Sequence, residues 1–398
     1  MPTPRQIMQD SEARRLFAAL ERLEPWLTRR QMELTRIPAP TGLEGPRAEW
    51  MLRQMRQLGA RHPHLDAAGN VIGLRPGTEP HRPGILISAH LDTVFPPGTS
   101  LKPRADARHR LHAPGIADNG AGLAALLGVM KLLLASSGRL RHTLMFCANV
   151  GEEGEGNLKG MRYLFQHEPG KERISYSLVI DGAGCQNVTN RGLASQRILL
   201  ECQGPGGHSW NDAGVPSAIH ALQRCLAPLA ALAPRPGRAV INIGGIEGGT
   251  SINSIAARAA ARLDLRAANS RELARLRARV ETALRSGVRA ENRRARRGAV
   301  TGRLEVLGER PGGSLPAGSH LWRTLRAVDS ELGLRTQPRL ATTDANVPLA
   351  LGCEAVTLGA GGASAATHTL AEWYDPADRI RGLQRILLLL LCLAEPEK

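Results

Sequence analysis

The sequence predicts an α/β protein: a main domain on a mostly parallel sheet, interrupted by a smaller ferredoxin-like α+β domain. Three observations carry this reading. Short apolar runs of strand length alternate with longer helical runs up to about residue 190 and again after 318, the pattern of a layered domain with parallel strands. Residues 191–311 change texture and read β-α-β-β-α-β, the split ferredoxin-like order. Three successive strands of the main domain end on His90, on Glu152 with Glu153, and on Asp181. The boundaries that follow are 1–190 and 312–398 for the main domain and 191–311 for the insert.

Each element has a local reason. Residues 10–35 carry apolar positions at helical spacing among Glu and Arg, one helix with a wet face. Arg36-Ile37-Pro38-Ala39-Pro40-Thr41-Gly42 is a turn, and Thr41 three residues before Glu44 predicts a capping box for the next helix. Gly59 should end that helix. Residues 65–74, which contain Gly69-Asn70, read as a strand pair or a turn. Gly84-Ile85-Leu86-Ile87-Ser88-Ala89-His90 is a buried strand, and Asp92, two residues beyond His90, should share its face.

Gly115-Ile116-Ala117-Asp118-Asn119-Gly120-Ala121-Gly122 leads into an apolar helix at 123–134. A strand at 143–150 ends at Gly151-Glu152-Glu153-Gly154, and one at 176–180 ends at Asp181-Gly182. The insert runs from a strand at 196–203 through Gly204-Pro205-Gly206-Gly207-His208-Ser209-Trp210 to a helix at 217–232. Strands at 239–243 and 257–266, an Arg-rich helix at 271–287 and a strand near 304–307 complete it. The main domain resumes with a helix at 321–332, the turn Thr342-Thr343-Asp344-Ala345-Asn346, a strand at 355–358, a Gly-rich turn, His368 and a last helix.

Composition excludes several classes. At 398 residues, 42% hydrophobic and 22% charged, the chain has the makeup of an ordinary globular protein. Its net charge of +16 is almost all arginine. That skew reflects residue usage, so no specific nucleic-acid role is expected, and the Arg-rich helix is read as a solvated face. A basic, non-catalytic binding protein is the remote alternative. The longest apolar run, residues 386–394, is too short to span a bilayer. Met1-Pro2-Thr3-Pro4-Arg5 lacks an apolar signal core. The six scattered cysteines contain no C-x-x-C pair. The expectation is a cytoplasmic protein with reduced thiols and no membrane association.

The groups at strand ends and Gly-bounded turns are His90, Asp118, Glu152, Glu153, Asp181 and His368. Two imidazoles with several carboxylates and no thiolate suit zinc, manganese or cobalt in a hydrolytic site. The count is right for two neighbouring cations: one bridging acid, two histidines, two further acids and one acid left for general-base work.

These motifs, namely Ser88-Ala89-His90-Leu91-Asp92-Thr93-Val94, Gly115-Ile116-Ala117-Asp118-Asn119, Gly151-Glu152-Glu153-Gly154-Glu155-Gly156, Asp181-Gly182 and Ala366-Thr367-His368-Thr369, span most of the chain. Together they resemble the co-catalytic di-zinc amidohydrolases and exopeptidases that include acetylornithine deacetylase, succinyl-diaminopimelate desuccinylase, aminoacylase, carnosinase and peptidase T. The Thr343-Asp344-Ala345-Asn346 turn is most similar to the peptidase T-like branch.

The resemblance implies that His90, Asp118 and Asp181 hold one Zn2+ and that Asp118, Glu153 and His368 hold the other, with Co2+ or Mn2+ as substitutes. It implies Glu152 as general base and Asp92 as the residue that orients His90. It makes the insert a lid and dimerisation domain whose His208 reaches a partner's site in a homodimer. It assigns the substrate's carboxylate to Asn253 and Arg266, with backbone help near Gly362. Two positions depart from the pattern: Gly204-Pro205-Gly206-Gly207 precedes His208 where many members have Gly-Arg-x-x-His, and Ala256 stands where proline is common. The expected substrate is a small peptide, an isopeptide included, with N-acyl amino acids as the alternative.

Overall fold

Strand Gly84–His90 lies near the middle of the main sheet, and its burial explains why. Ile85, Leu86 and Ile87 have no solvent exposure, and each such side chain removed from water is worth about 1.5–3 kcal/mol. A strand apolar on both faces must be covered on both. The computed structural model describes residues 2–79, 81–82, 84–168, 174–235 and 237–396. It divides into two units, Met1–Gly192 with Ser314–Lys398, and Leu193–Gly313.

In the first unit the sheet runs Arg61–Leu65, Val71–Arg75, Leu144–Asn149, Gly84–His90, Ile174–Ile180, Glu354–Leu358, Asn187–Gly192, with Gln337–Ala341 beside Asn187–Gly192. The four strands from Leu144–Asn149 to Glu354–Leu358 are mutually parallel. The hairpin Arg61–Leu65/Val71–Arg75 adds an antiparallel edge. The α/β class and the mostly parallel sheet expected from the sequence are therefore present. Helix Gly120–Ala135 is buried almost all round, as its apolar sequence requires. It packs with Glu24–Thr35 and Arg379–Ala394 into one core with the sheet.

Three local expectations are corrected. Residues 10–35 form two helices, Ser11–Glu21 and Glu24–Thr35. Pro25 in the first turn of the second helix lacks the N–H that a continuous helix would need. Thr41 and Glu44 form no capping box. Glu44 is itself the N-cap residue, without a side-chain cap. Its carboxylate turns back to the Gly42 and Gly151 N–H groups at 2.9 and 3.1 Å, and the Thr41 hydroxyl goes to Asp92 Oδ2 at 2.9 Å. Finally, the strand ends at His90, so Asp92 lies in the loop beyond it.

The second unit is a four-stranded antiparallel sheet in the order Ala239–Gly248, Arg258–Ala267, Ala194–Gln203, Thr301–Arg310. Helices Ala218–Ala230 and Ser270–Asn292 cover one face. This is the ferredoxin-like order of strands. In helix Ser270–Asn292, Leu273, Leu276, Val280, Ala283 and Leu284 enter the core, while Arg271, Arg275, Arg279, Arg285 and Arg289 are exposed or half-buried.

Candidate metal centre

Because the central strands are parallel, their carboxyl ends share one edge, where ligands of open α/β sheets bind. His90 is the last residue of its strand. Glu152 and Glu153 follow Leu144–Asn149, and Asp181 follows Ile174–Ile180. Asp118 precedes helix Gly120–Ala135, which Asn119 caps by accepting the Gly122 N–H at 3.1 Å. The Asp118–Asn119 peptide is cis. His368 sits in a turn with φ +64°, and Ala366 has φ +55°. Left-handed backbone at such residues costs about 1–3 kcal/mol each. Thr369 secures this turn, donating its N–H and hydroxyl to the Ala366 carbonyl at 3.1 and 2.7 Å.

These segments converge. Asp118 Oδ1 is 3.0 Å from His90 Nε2, and Asp118 Oδ2 is 3.0 Å from His368 Nε2. Asp181 Oδ1 stands 3.6 Å from His90 Nε2, and Glu153 Oε1 is 3.0 Å from His368 Nε2. Among the described residues, ligand atoms of His90/Asp118/Asp181, of Asp118/Glu153/His368 and of His90/Glu152/Glu153 form three sets, each within 4.8 Å.

The donor set fits a pair of cations. His90 Nδ1 lies 3.1 Å from the Asp92 carbonyl, which can only accept, so Nδ1 carries the hydrogen. In the neutral ring the lone pair of Nε2 would face the carboxylates of Asp118 and Asp181, so a proton or a cation must stand between them. Burial alone would lower the His90 pKa, but Asp118, Asp181 and Asp92 outweigh it and raise it well above the ordinary value. The Asp118 hydrogen bond, against burial, lifts His368 to about 9. Burial would raise Asp118, yet the two imidazoles hold it far below the usual carboxylate range. Burial raises the pKa of Glu153. An acid-rich cluster that draws protons onto its imidazoles is one that divalent cations would occupy in their place.

The model of peptidase family M20/M25/M40 matches residues 86–391, more than half of the chain. The chain belongs to peptidase family M20/M25/M40. As a member of the M20/M25/M40 family it is a hydrolase acting on amide or peptide bonds. It shares its fold with aminopeptidase PepT of Bacillus cereus, at TM-score 0.74 and 20% identity over 91% of this chain and 96% of that one. A tripeptidase of Staphylococcus aureus gives TM-score 0.75 and 20% identity over 92% and 98%. YXEP of Bacillus subtilis, a dinuclear metal binding peptidase, gives 0.70 and 14% over 95% and 100%. A sequence relative, the N-carbamoyl-L-amino-acid amidohydrolase of Paenarthrobacter aurescens, is 32% identical over 96 residues, which is 24% of this chain and 19% of that protein. The match thus spans about a fifth of that relative.

The residues expected to be ligands in this M20/M25/M40 chain meet in the first unit, and several supporting residues join them that the sequence pattern does not announce. The Asp92 carboxylate accepts the backbone N–H of Glu152 and of Glu153 at 3.0 and 2.8 Å. Its Oδ1 is also 3.5 Å from His90 Nδ1. Glu372 accepts three N–H groups of the loop that carries Asp118, those of Gly115, Ala117 and Asp118. Asn149 Nδ2 donates to buried Asp344 at 2.6 Å. The only sequence signal for Glu372 is an acid four residues after His368.

Gly362, at φ +68°, packs against Tyr374 and the Asp375 carbonyl. The remaining expected contacts lie in the second unit. His208 is exposed on a short ribbon paired with Ser254. Its Nδ1 accepts from Trp210 N at 3.2 Å, so the neutral ring keeps its hydrogen on Nε2. Asn253 is exposed, and its carbonyl accepts from Ser209 N at 2.9 Å. Arg266 donates through Nε to Asp264 at 2.7 Å.

Proposed function

We propose that this chain hydrolyses an amide bond in small peptides that carry a free carboxylate, using two divalent cations, zinc in the first instance with cobalt or manganese as substitutes. One observation carries the reading: the two oxygens of Asp118 each lie 3.0 Å from a different imidazole. His90 and Asp181 would complete one cation's ligands, and Glu153 and His368 the other's. Such a pair, when bound, polarises the scissile carbonyl and makes water acidic enough to react near neutral pH.

The chain's own groups do the rest. Glu152 takes the proton of the attacking water and delivers it to the leaving amine. The Nε2–H of His208 donates to the carbonyl oxygen as it gains charge. Arg266, with two guanidinium nitrogens beyond its Asp264 contact, and Asn253 hold the substrate's carboxylate. Gly362 adds backbone contact. His208 acts on a partner's site, so the working form is a homodimer through the inserted unit, in the cytoplasm. No helix among the described residues is long and apolar enough to cross a membrane.

The similarity in fold to an aminopeptidase and a tripeptidase supports a peptide substrate. The matched stretch of an N-carbamoyl-L-amino-acid amidohydrolase favours a second reading, hydrolysis of N-acyl or N-carbamoyl amino acids on the same centre. Both substrate classes keep a free carboxylate.

The test is a metal assay by elemental analysis, followed by initial rates on dipeptides, tripeptides, a β-aspartyl dipeptide and N-acetyl and N-carbamoyl amino acids. Turnover of peptides by protein holding two equivalents of zinc is expected. Release from the N-acyl or N-carbamoyl substrates alone would replace the first reading by the second. Heparin affinity with neither metal nor turnover would leave a basic binding protein. A monomer with full activity by light scattering would remove the dimer.

A further inference from the structure

Glu372 is 1% exposed. One of its oxygens accepts the N–H of Ala117 at 2.8 Å and of Asp118 at 3.0 Å, and the other accepts that of Gly115 at 2.9 Å. No Lys, Arg or His ion-pairs with it among the described residues. Burying an unpaired carboxylate is expensive even when backbone donors meet it, so its placement is poorly explained by stability alone. Its own segment is the one that carries His368. Glu372 N–H donates to the Thr369 carbonyl at 3.2 Å, Thr369 N–H donates to Ala366, and the Glu372 carbonyl accepts from Ala113 at 3.2 Å. One carboxylate therefore joins the loop of Asp118 to the loop of His368. Because it grips the N–H of Asp118 itself, it fixes the backbone from which that side chain reaches both imidazoles.

We propose that Glu372 is a positioning residue for the cation pair, aiming Asp118 at both sites at once so that occupancy of the two is coupled. This rests on the two-cation reading above. A misplaced Asp118 weakens both sites together, whereas loss of His368 or Asp181 would weaken one first.

The experiment titrates Zn2+ into metal-free wild type, Glu372→Gln and Glu372→Asp, by calorimetry and by competition with a chelating dye. Thermal midpoints of the metal-free proteins are read alongside. Glu372→Gln keeps the shape but puts an amide against an N–H. Glu372→Asp keeps the charge but withdraws the oxygens. Expected are two bound zinc ions in wild type and a 10–100-fold weaker affinity at both sites in the variants. At saturating zinc, kcat should fall while KM is held.

Wild-type affinity at both sites in folded Glu372→Gln would overturn the inference and leave the two-cation reading standing. Fewer than two zinc ions in wild type would overturn both. Failure of both variants to fold, even with excess zinc, would also overturn it, because Glu372 would then hold up the fold and not aim Asp118.

Discussion

Asp92 holds Glu153 by the backbone: its Oδ2 accepts the Glu153 N–H at 2.8 Å while Oδ1 accepts that of Glu152 at 3.0 Å. The same carboxylate lies beside His90, so it sets a ligand and the two acids opposite in one geometry. Burial would push the Asp92 carboxyl up, but His90 and these N–H groups hold it below its ordinary range. Replacing Asp92 by Ala should lower zinc affinity or kcat/KM by about 10–100-fold, with Asp92→Asn between that and wild type. Zinc content and initial rates on the same preparations decide it. A variant equal to wild type in both would mean that the loop holds its shape without Asp92.

Glu152 and Glu153 are neighbours with different expected fates. Glu153 Oε1 is 3.0 Å from His368, within a ligand set that also includes Asp118. Changing it to Gln should release a cation. Changing Glu152 to Gln should leave both cations bound and reduce kcat by about 10²–10⁴-fold, the usual contribution of a general base. Elemental analysis beside a rate measurement separates the two. Zinc lost from Glu152→Gln, or full turnover by it, would remove Glu152 from the proton-transfer role.

What could be read from the sequence follows from where the physical cause lies. His90, Glu152, Glu153 and Asp181 end apolar runs, and a run of apolar residues is a local signal of a buried strand. The split order of the insert is legible for the same reason. Glu372 is different, because its partners are backbone N–H groups more than 250 residues earlier. No periodicity or spacing encodes such a contact. Thr41 and Glu44 have the spacing of a capping box, yet Thr41 donates across the fold to Asp92, and Glu44 accepts from distant Gly151 as well as from neighbouring Gly42. Tertiary partners outbid a local motif there.

Away from the centre, Arg385 meets Asp329 through two parallel hydrogen bonds of 2.7 and 2.6 Å, from side chains 0% and 1% exposed. Removing one partner strands a buried charge, so Asp329→Ala should cost about 3–5 kcal/mol. With about 2.1 cal/mol/K of unfolding entropy per residue, that is a drop of roughly 4–6 °C in the thermal midpoint of a 398-residue chain. The double variant Asp329→Leu/Arg385→Met should recover most of the loss, because an apolar pair of similar volume needs no desolvation. A single variant within about 1 °C of wild type would show, by the same conversion of about 1.2 °C per kcal/mol, that water reaches the pair.

Asp344 gives stability a pH dependence of known sign. It is fully buried and accepts from Asn149 Nδ2 at 2.6 Å, while its Oδ1 and the Asn149 Oδ1 have no hydrogen-bond partner among the described residues. Burial, with Asp92 and Asp181 adding to it against His90 and Asn149, lifts its pKa from the ordinary 3.8 to about 7. A raised acid holds its proton more tightly in the folded state, so the folded chain binds more protons than the unfolded one between those two values. Stability from this group is unchanged below about pH 4, falls as pH rises towards 7, and is level above. Asp344→Asn should remove that slope. In chelator-treated protein its urea midpoint should match wild type near pH 4.5 more closely than at pH 7.5, where the variant should be the more stable. Parallel midpoints across the range would mean that Asp344 stays charged in the folded chain, with a counter-ion or water at its second oxygen.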